Sequence, residues 1–225
     1  MMKQIITIIP ILLLTLSTFA QKKNNGIEYK YNLEPIYTTT ELVWYGNDLS
    51  RSHMLDFKQF EEGGKIKKVH FPGILAELEY RYNQEFMLRS TKKEKVIFDM
   101  VSIQDLYKTN LDASSFIVSR STEMTIEDIK DIVKLYNLPQ KEGVGVVNIV
   151  EMFHKPEVVV TGYVTFFDIA TREVYYSTKM KGVAGGGGGF NLYWSNGIKR
   201  IMQYFFVNGY YSKAMKQFKN QSSTN

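Results

Sequence analysis

Residues 144–181 read VGVVNIVEMFHKPEVVVTGYVTFFDIATREVYYSTKMK. Three runs rich in β-branched and aromatic residues are parted by two short polar breaks, the pattern of strands joined by turns. Val144 to Phe153 alternates loosely: Val144, Val146, Val150 and Met152 fall on one side, Val147, Ile149 and Phe153 on the other. Apolar residues on both sides predict a strand covered on both faces. His154-Lys155-Pro156-Glu157 ends the run, because proline has no N–H and a fixed φ, which suit a turn. Val158 to Phe167 predicts a second strand of the same kind, and Asp168 to Arg172 a second turn. In the third strand, Glu173 to Lys181, Val174, Tyr176 and Met180 point inward; Glu173, Tyr175, Ser177, Lys179 and Lys181 point to water. Links this short require antiparallel pairing, since a parallel return needs a long crossover.

Beyond this meander lies a run of five glycines, Gly185, Gly186, Gly187, Gly188 and Gly189. Trp194, Ile198, Ile201, Met202 and Phe205 then recur at helical spacing, with Lys199, Arg200 and Gln203 opposite. That predicts a helix lying on the sheet and stopping at Gly209 in a left-handed C′ position. A short helix over Tyr210 to Lys219 follows, and residues 220–225 read as a disordered polar tail.

On the N-terminal side, Thr122 to Asn137 predicts a helix with Ile126, Ile129, Val133 and Tyr136 as its buried stripe and Glu127, Lys130, Asp131 and Lys134 opposite. Ser121 or Thr122 is the expected N-cap, and Pro139 lies past the end. Leu42 to Tyr45, Lys95 to Met100 and Ser115 to Arg120 predict strands. Ser50 or Ser52 is positioned to cap a helix running to Phe60, Pro72 opens a helix running to Leu88, and Ser102 to Lys108 reads as a helical turn or two. The fold class is α/β or α+β: a single domain over 38–219, one mixed β-sheet with an antiparallel three-strand meander at about 144–181, and helices packed on it.

Residues 1–20 carry an address. Met1-Met2-Lys3 is basic, Ile5 to Leu16 is apolar, and Ser17-Thr18-Phe19-Ala20 ends on small residues, the layout of a signal peptide cut after Ala20. The apolar run is shorter than the roughly 20 residues that span a bilayer. The expected product is exported, periplasmic or outer-membrane associated in a Gram-negative bacterium, with 21–37 as an extended N-terminal arm. The chain has no cysteine, which removes disulfides, thiol nucleophiles and thiolate metal sites. Its formal charge of +5 is modest, and Lys65-Ile66-Lys67-Lys68 and Lys92-Lys93-Glu94-Lys95 read as solvated loop ends, so nucleic acid is not an expected partner.

No motif names a reaction, a cofactor or a metal. His53, His70 and His154 lack paired ligand spacing, no Gly-x-Ser-x-Gly elbow occurs, and Asp48 and Asp56 read as caps or surface acids. The glycines lie between strand and helix, where backbone N–H groups hold an anion in other folds; Gly185 to Gly189 with Trp194 is therefore the candidate ligand site. No Gly-Lys-Ser or Gly-Lys-Thr follows, and the competing reading is a flexible connector in which alanine at 186 and 188 is neutral. Tyr175, Tyr176, Tyr193, Trp194, Tyr204, Tyr210 and Tyr211 form an aromatic cluster, read as core with an aromatic rim or as a surface for a protein or glycan partner.

Leu42-Val43-Trp44-Tyr45-Gly46 opening an α/β unit, with Phe167-Asp168-Ile169-Ala170-Thr171-Arg172-Glu173-Val174 inside the meander, resembles uncharacterised secreted proteins of Gram-negative bacteria. At pattern level it is also similar to the amino-terminal α/β domain of TolB-like envelope proteins. The resemblance implies a non-catalytic envelope binding or assembly module and supplies no site residue. The alternative is a small-molecule or anion-binding protein, or a small hydrolase, with its site near the glycine run.

Overall fold

In the computed structural model, which describes residues 28–57, 66–81, 84–108 and 116–222, eight strands form one mixed sheet. They are β1 (Glu28–Lys30), β2 (Glu41–Asp48), β3 (His53–Leu55), β4 (Lys95–Phe98), β5 (Ile117–Val118), β6 (Val144–His154), β7 (Val159–Asp168) and β8 (Val174–Val183). Along the sheet they run β1-β8-β7-β6-β2-β4, and β3 joins the far end of β6 with β5 beyond it. The meander β6-β7-β8 is antiparallel throughout. β2 and β3 both run parallel to β6, one beside its first half and the other beside its last residues. The result is a single mixed α/β domain with an open sheet.

The helices are α1 (Glu34–Thr38), α2 (Phe71–Arg81), α3 (Gln84–Thr91), α4 (Val101–Gln104), α5 (Ile126–Lys134), α6 (Phe190–Met202) and α7 (Tyr210–Ser222). α2, α3, α6 and α7 cover one face, where Phe71, Ile74, Met87, Trp194, Ile198 and Tyr211 meet Trp44, Val150, Phe153, Val164 and Phe166. α5 covers the other face, where Ile129, Ile132 and Val133 pack on Val43, Val147, Ile149 and Phe167. α6 approaches β8 closely. A Cβ on Gly182 would lie 2.0 Å from the Gly197 carbonyl oxygen, so only glycine permits this crossing.

Several expectations change. α5 starts later than Ser121 or Thr122 because Thr125 is its N-cap: the Thr125 hydroxyl accepts from Asp128 N and Thr125 N donates to the Asp128 carboxylate, a complete capping box. Residues 121–124 are thereby left outside the helix. No helix starts at Ser50 or Ser52; the Ser52 N–H and hydroxyl both bond to the Leu49 carbonyl, and His53–Leu55 then pairs with Met152–His154 as β3. Phe60 lies outside the described residues. The run from Ile74 to Leu88 is divided between α2 and α3, and Tyr82 between them lies outside the described residues.

Within the expected arm, 28–30 forms an edge strand on β8 and 34–38 forms α1; residues 1–27, with the expected signal peptide, lie outside the described residues. α7 reaches Ser222, so residues 220–222 are helical, and 223–225 lie outside the described residues. Two lysines read as solvated are buried. Lys93 Nζ donates to the Ile36 and Thr39 carbonyls at 2.7 Å each, and Lys67 Nζ sits 4.8 Å from the Phe116 ring centroid. Each charge meets polar or π-electron density that offsets its desolvation.

Candidate functional site

The meander has one irregularity between β6 and β7. Val150 faces Gly162 and Met152 faces Thr161, so Glu151 is an extra residue without a ladder partner. Such a bulge bends the strand and re-aims a side chain. It also reverses the alternation after Val150, which is why Phe153 packs with Val150 and not with Val147 and Ile149. The Glu151 carboxylate enters the face that α5 covers, beyond the end of that helix. Oε1 accepts from Met124 N at 2.8 Å; Oε2 accepts from the Thr161 hydroxyl and from Lys179 Nζ, each at 2.8 Å. The Tyr163 hydroxyl closes the group by donating to the Met124 carbonyl at 2.9 Å.

The late start of α5 makes this possible, since a helical Met124 would have turned its N–H along the helix axis. Side-chain exposures of 3% for Glu151 and 12% for Lys179 define a buried ion pair with charge-assisted hydrogen bonds. From the strand alternation, Lys179 and Ser177 read as solvent-facing. Instead Ser177 is buried on a 2.8 Å bond to Thr165, and Lys179 is held by Glu151 and by Glu123 Oε1 at 3.0 Å.

Two hollows flank this pair, and Glu123 and Glu151 line both. The first, about 490 Å³, has Arg51 and His53 on one wall and Asp128 and Asp131 on another. Burial holds the His53 pKa below its ordinary value, assisted by the nearby Lys67 charge, while Glu151 opposes the shift. Hydrogen bonds from Thr125, backbone and then hydroxyl, hold Asp128 below the usual carboxylate range. The second hollow, about 530 Å³, is lined by Thr161, Lys179, Lys181, His154 and Glu157, and by Met180, Tyr204 and Tyr210. Lys181 pairs with Glu157 and, first among its causes, lowers the Glu157 pKa. Both volumes fall in the range of small-molecule sites, roughly 300–1,000 Å³.

The residues singled out from sequence lie elsewhere. Gly185 N donates to the Tyr193 carbonyl, Tyr193 N donates to the Gly189 carbonyl, and Asn196 Nδ2 donates to the Gly185 carbonyl. These bonds fold the loop back onto the first turns of α6. Trp194 is buried, 5.3 Å from Phe57 and 5.8 Å from Phe153 between ring centroids. Neither hollow is lined by Gly185–Gly189 or by Trp194. The loop also has fixed conformational demands that a flexible connector lacks: Gly185, Gly186 and Gly189 have φ of 111°, 76° and 88°. A Cβ at Gly187 would lie 2.4 Å from Leu192, whereas Gly188 is open.

His53 and His154 border the two hollows, and His70 Nδ1 bonds Asn191 Oδ1 at 2.9 Å on the other face. Asp56 is exposed in a turn, but Asp48 is no surface acid. It is buried, accepts from Tyr136 OH and Ser50 N at 2.7 Å each, and burial raises its pKa. Of the aromatic cluster, Tyr176, Trp194 and Tyr211 are core, while Tyr204 and Tyr210 are exposed at the second hollow. The sequence reading does not single out Glu151, and it places Lys179 in water. The available signal was one acid in the middle of an 11-residue strand that is otherwise apolar apart from Asn148 and a terminal histidine.

Among the described residues, no three His, Asp or Glu side chains are grouped to hold a metal ion, and no helix is long and apolar enough to cross a membrane. No protein-family model, curated protein or solved structure matches the chain.

Proposed function

We propose that this chain is an exported, non-catalytic binding module of the cell envelope, and that its ligand site is the divided cleft over the Glu151 bulge. The carrying observation is that both hollows are lined by Glu151, a carboxylate already fixed by Lys179, Thr161 and Met124 N, so a ligand meets preset polar groups. Both Glu151 oxygens are held by structural donors, which suits an anchor better than a proton-transferring group. The signal-like residues 1–20 and the resemblance to envelope proteins support the location.

The glycine run is the second reading. Its specific support is Gly189 as an N-cap that supplies no side-chain bond to the start of α6. Amide NMR titration with a panel of amino acids, short peptides, sugars, lipidic acids and nucleotides separates the two. The expected outcome is that at least one class moves the amide signals of Met124, Glu151, Thr161 and Lys179. Shifts confined to residues 185–189 would transfer the site to the glycine run.

A further inference from the structure

Lys179 brings a largely buried ammonium to the second hollow. One of its partners, Glu151, is the buried carboxylate that lines both hollows. The other, Glu123, is 63% exposed, reaches in from residues 121–125, and puts Oε1 3.0 Å from Nζ. An exposed acid held by one ion pair contributes little to stability, because solvent screens it and the side chain loses freedom. Glu123 therefore presents a carboxylate at the open side of a buried cation, where an incoming carboxylate would sit. Exchanging one for the other keeps the charge-assisted bond to Lys179. The Thr161 hydroxyl and Lys181 lie on the same polar wall. Met180, Tyr204 and Tyr210 complete the lining: Met180 follows Lys179 on β8 and packs in the core of the opposite face, and both tyrosines are exposed.

We propose that the second hollow binds an organic carboxylate with an apolar body. The carboxylate replaces Glu123 on Lys179, and the apolar part lies against Met180, Tyr204 and Tyr210. This rests on the binding reading above and gives it a ligand class.

The test is isothermal titration and amide NMR on the full chain with octanoate, octanol and octylammonium. Octanoate is expected to move the Thr161, Lys179, Tyr204 and Tyr210 signals, and octanol to bind more weakly. Glu123→Gln removes the internal competitor and should bind octanoate up to about fivefold tighter. Tyr204→Ala with Tyr210→Ala should weaken octanoate while leaving the fold intact. Lys179→Met alone strands a buried carboxylate, so Glu151→Gln with Lys179→Met is the variant that should fold and no longer select octanoate over octanol. Octanoate binding that is unchanged in Glu123→Gln and in that double variant overturns the proposal. Octanol or octylammonium binding in the cleft with no response to octanoate also overturns it, yet leaves the binding function standing. Silence of the cleft toward all three probes and toward the wider panel removes both.

Discussion

On the face packed by α2, α3, α6 and α7, Phe166 lies among Tyr176, Phe205, Phe206 and Tyr211, with ring centroids 6.0–6.4 Å away. On the opposite face, β6, β7 and β8 bury Glu151, Thr165 and Ser177, and leave Lys179 little exposed. The strands are the same; the covering differs. Four helices seal the first face, whereas α5 is nine residues long and leaves the far end of the second to the non-helical residues 121–125. A face sealed by helices selects shape and apolar area. A face closed by one strip of chain retains polar groups, provided that each finds a partner. Stability should therefore concentrate on the first face and polar recognition on the second.

The largest expected effect lies on the dry face. Phe166→Ala deletes a fully buried ring and should cost about 3–5 kcal/mol in urea unfolding. A loss below about 1 kcal/mol would mean that this face is not the stabilising one.

On the polar face, Lys179→Met leaves Glu151 without its cation and should cost about 3 kcal/mol. Adding Glu151→Gln should recover most of that loss, because a neutral amide needs no counter-charge. Failure of the second substitution to rescue the first would show that the Lys179 stem, and not its charge, supports the site.

Asp48 provides a test that reads pH. Burial raises its folded pKa above the unfolded value, so the native state holds this proton more tightly. Its contribution to stability is then highest below the ordinary carboxylate pKa, declines as pH rises toward the raised folded value, and is flat beyond. Asp48→Asn should remove that decline while keeping an oxygen for Ser50 N or Tyr136 OH. Parallel stability curves for the two proteins across acidic and neutral pH would contradict a carboxylate whose pKa is raised by burial.

The smallest effects belong to the loop leading into α6. Gly186→Ala puts a Cβ on a residue at φ 76° and should cost about 1 kcal/mol, whereas Gly188→Ala meets no atom within 4 Å and should change stability by less than about 0.5 kcal/mol. Equal melting temperatures for the two variants would restore the flexible connector.

What the sequence made legible follows from local period. The three meander strands, the α5 stripe and the α6 stripe lie where their spacing predicts, because each is set by neighbours within one element. The site was not legible for the same reason. One extra residue at Glu151 reverses which side chain faces which core, and a period-2 reading has no means of detecting it. Lys179 reads as solvent-facing, yet its ammonium is paired with Glu123, 56 residues earlier, and with Glu151. Position in the sheet is equally non-local: Asn47 and Asn148, 101 residues apart, share a 2.8 Å bond that no pattern near either announces. Glycines in a row looked like a site because composition is conspicuous, whereas three of them serve backbone angles.

The placement of β1 on β8 has a kinetic consequence. Glu28 accepts a hydrogen bond from Tyr176 across 148 residues of chain, and Val43 of β2 pairs with Gly145 of β6, also far along the sequence. The meander is assembled from sequence neighbours and forms early, whereas both flanks join by closing long loops, which slows folding. As synthesis proceeds from the amino end, β1 and β2 leave the ribosome well before their partners exist. If the chain is exported as proposed, that interval delays completion of the sheet and would keep the polypeptide threadable during transit.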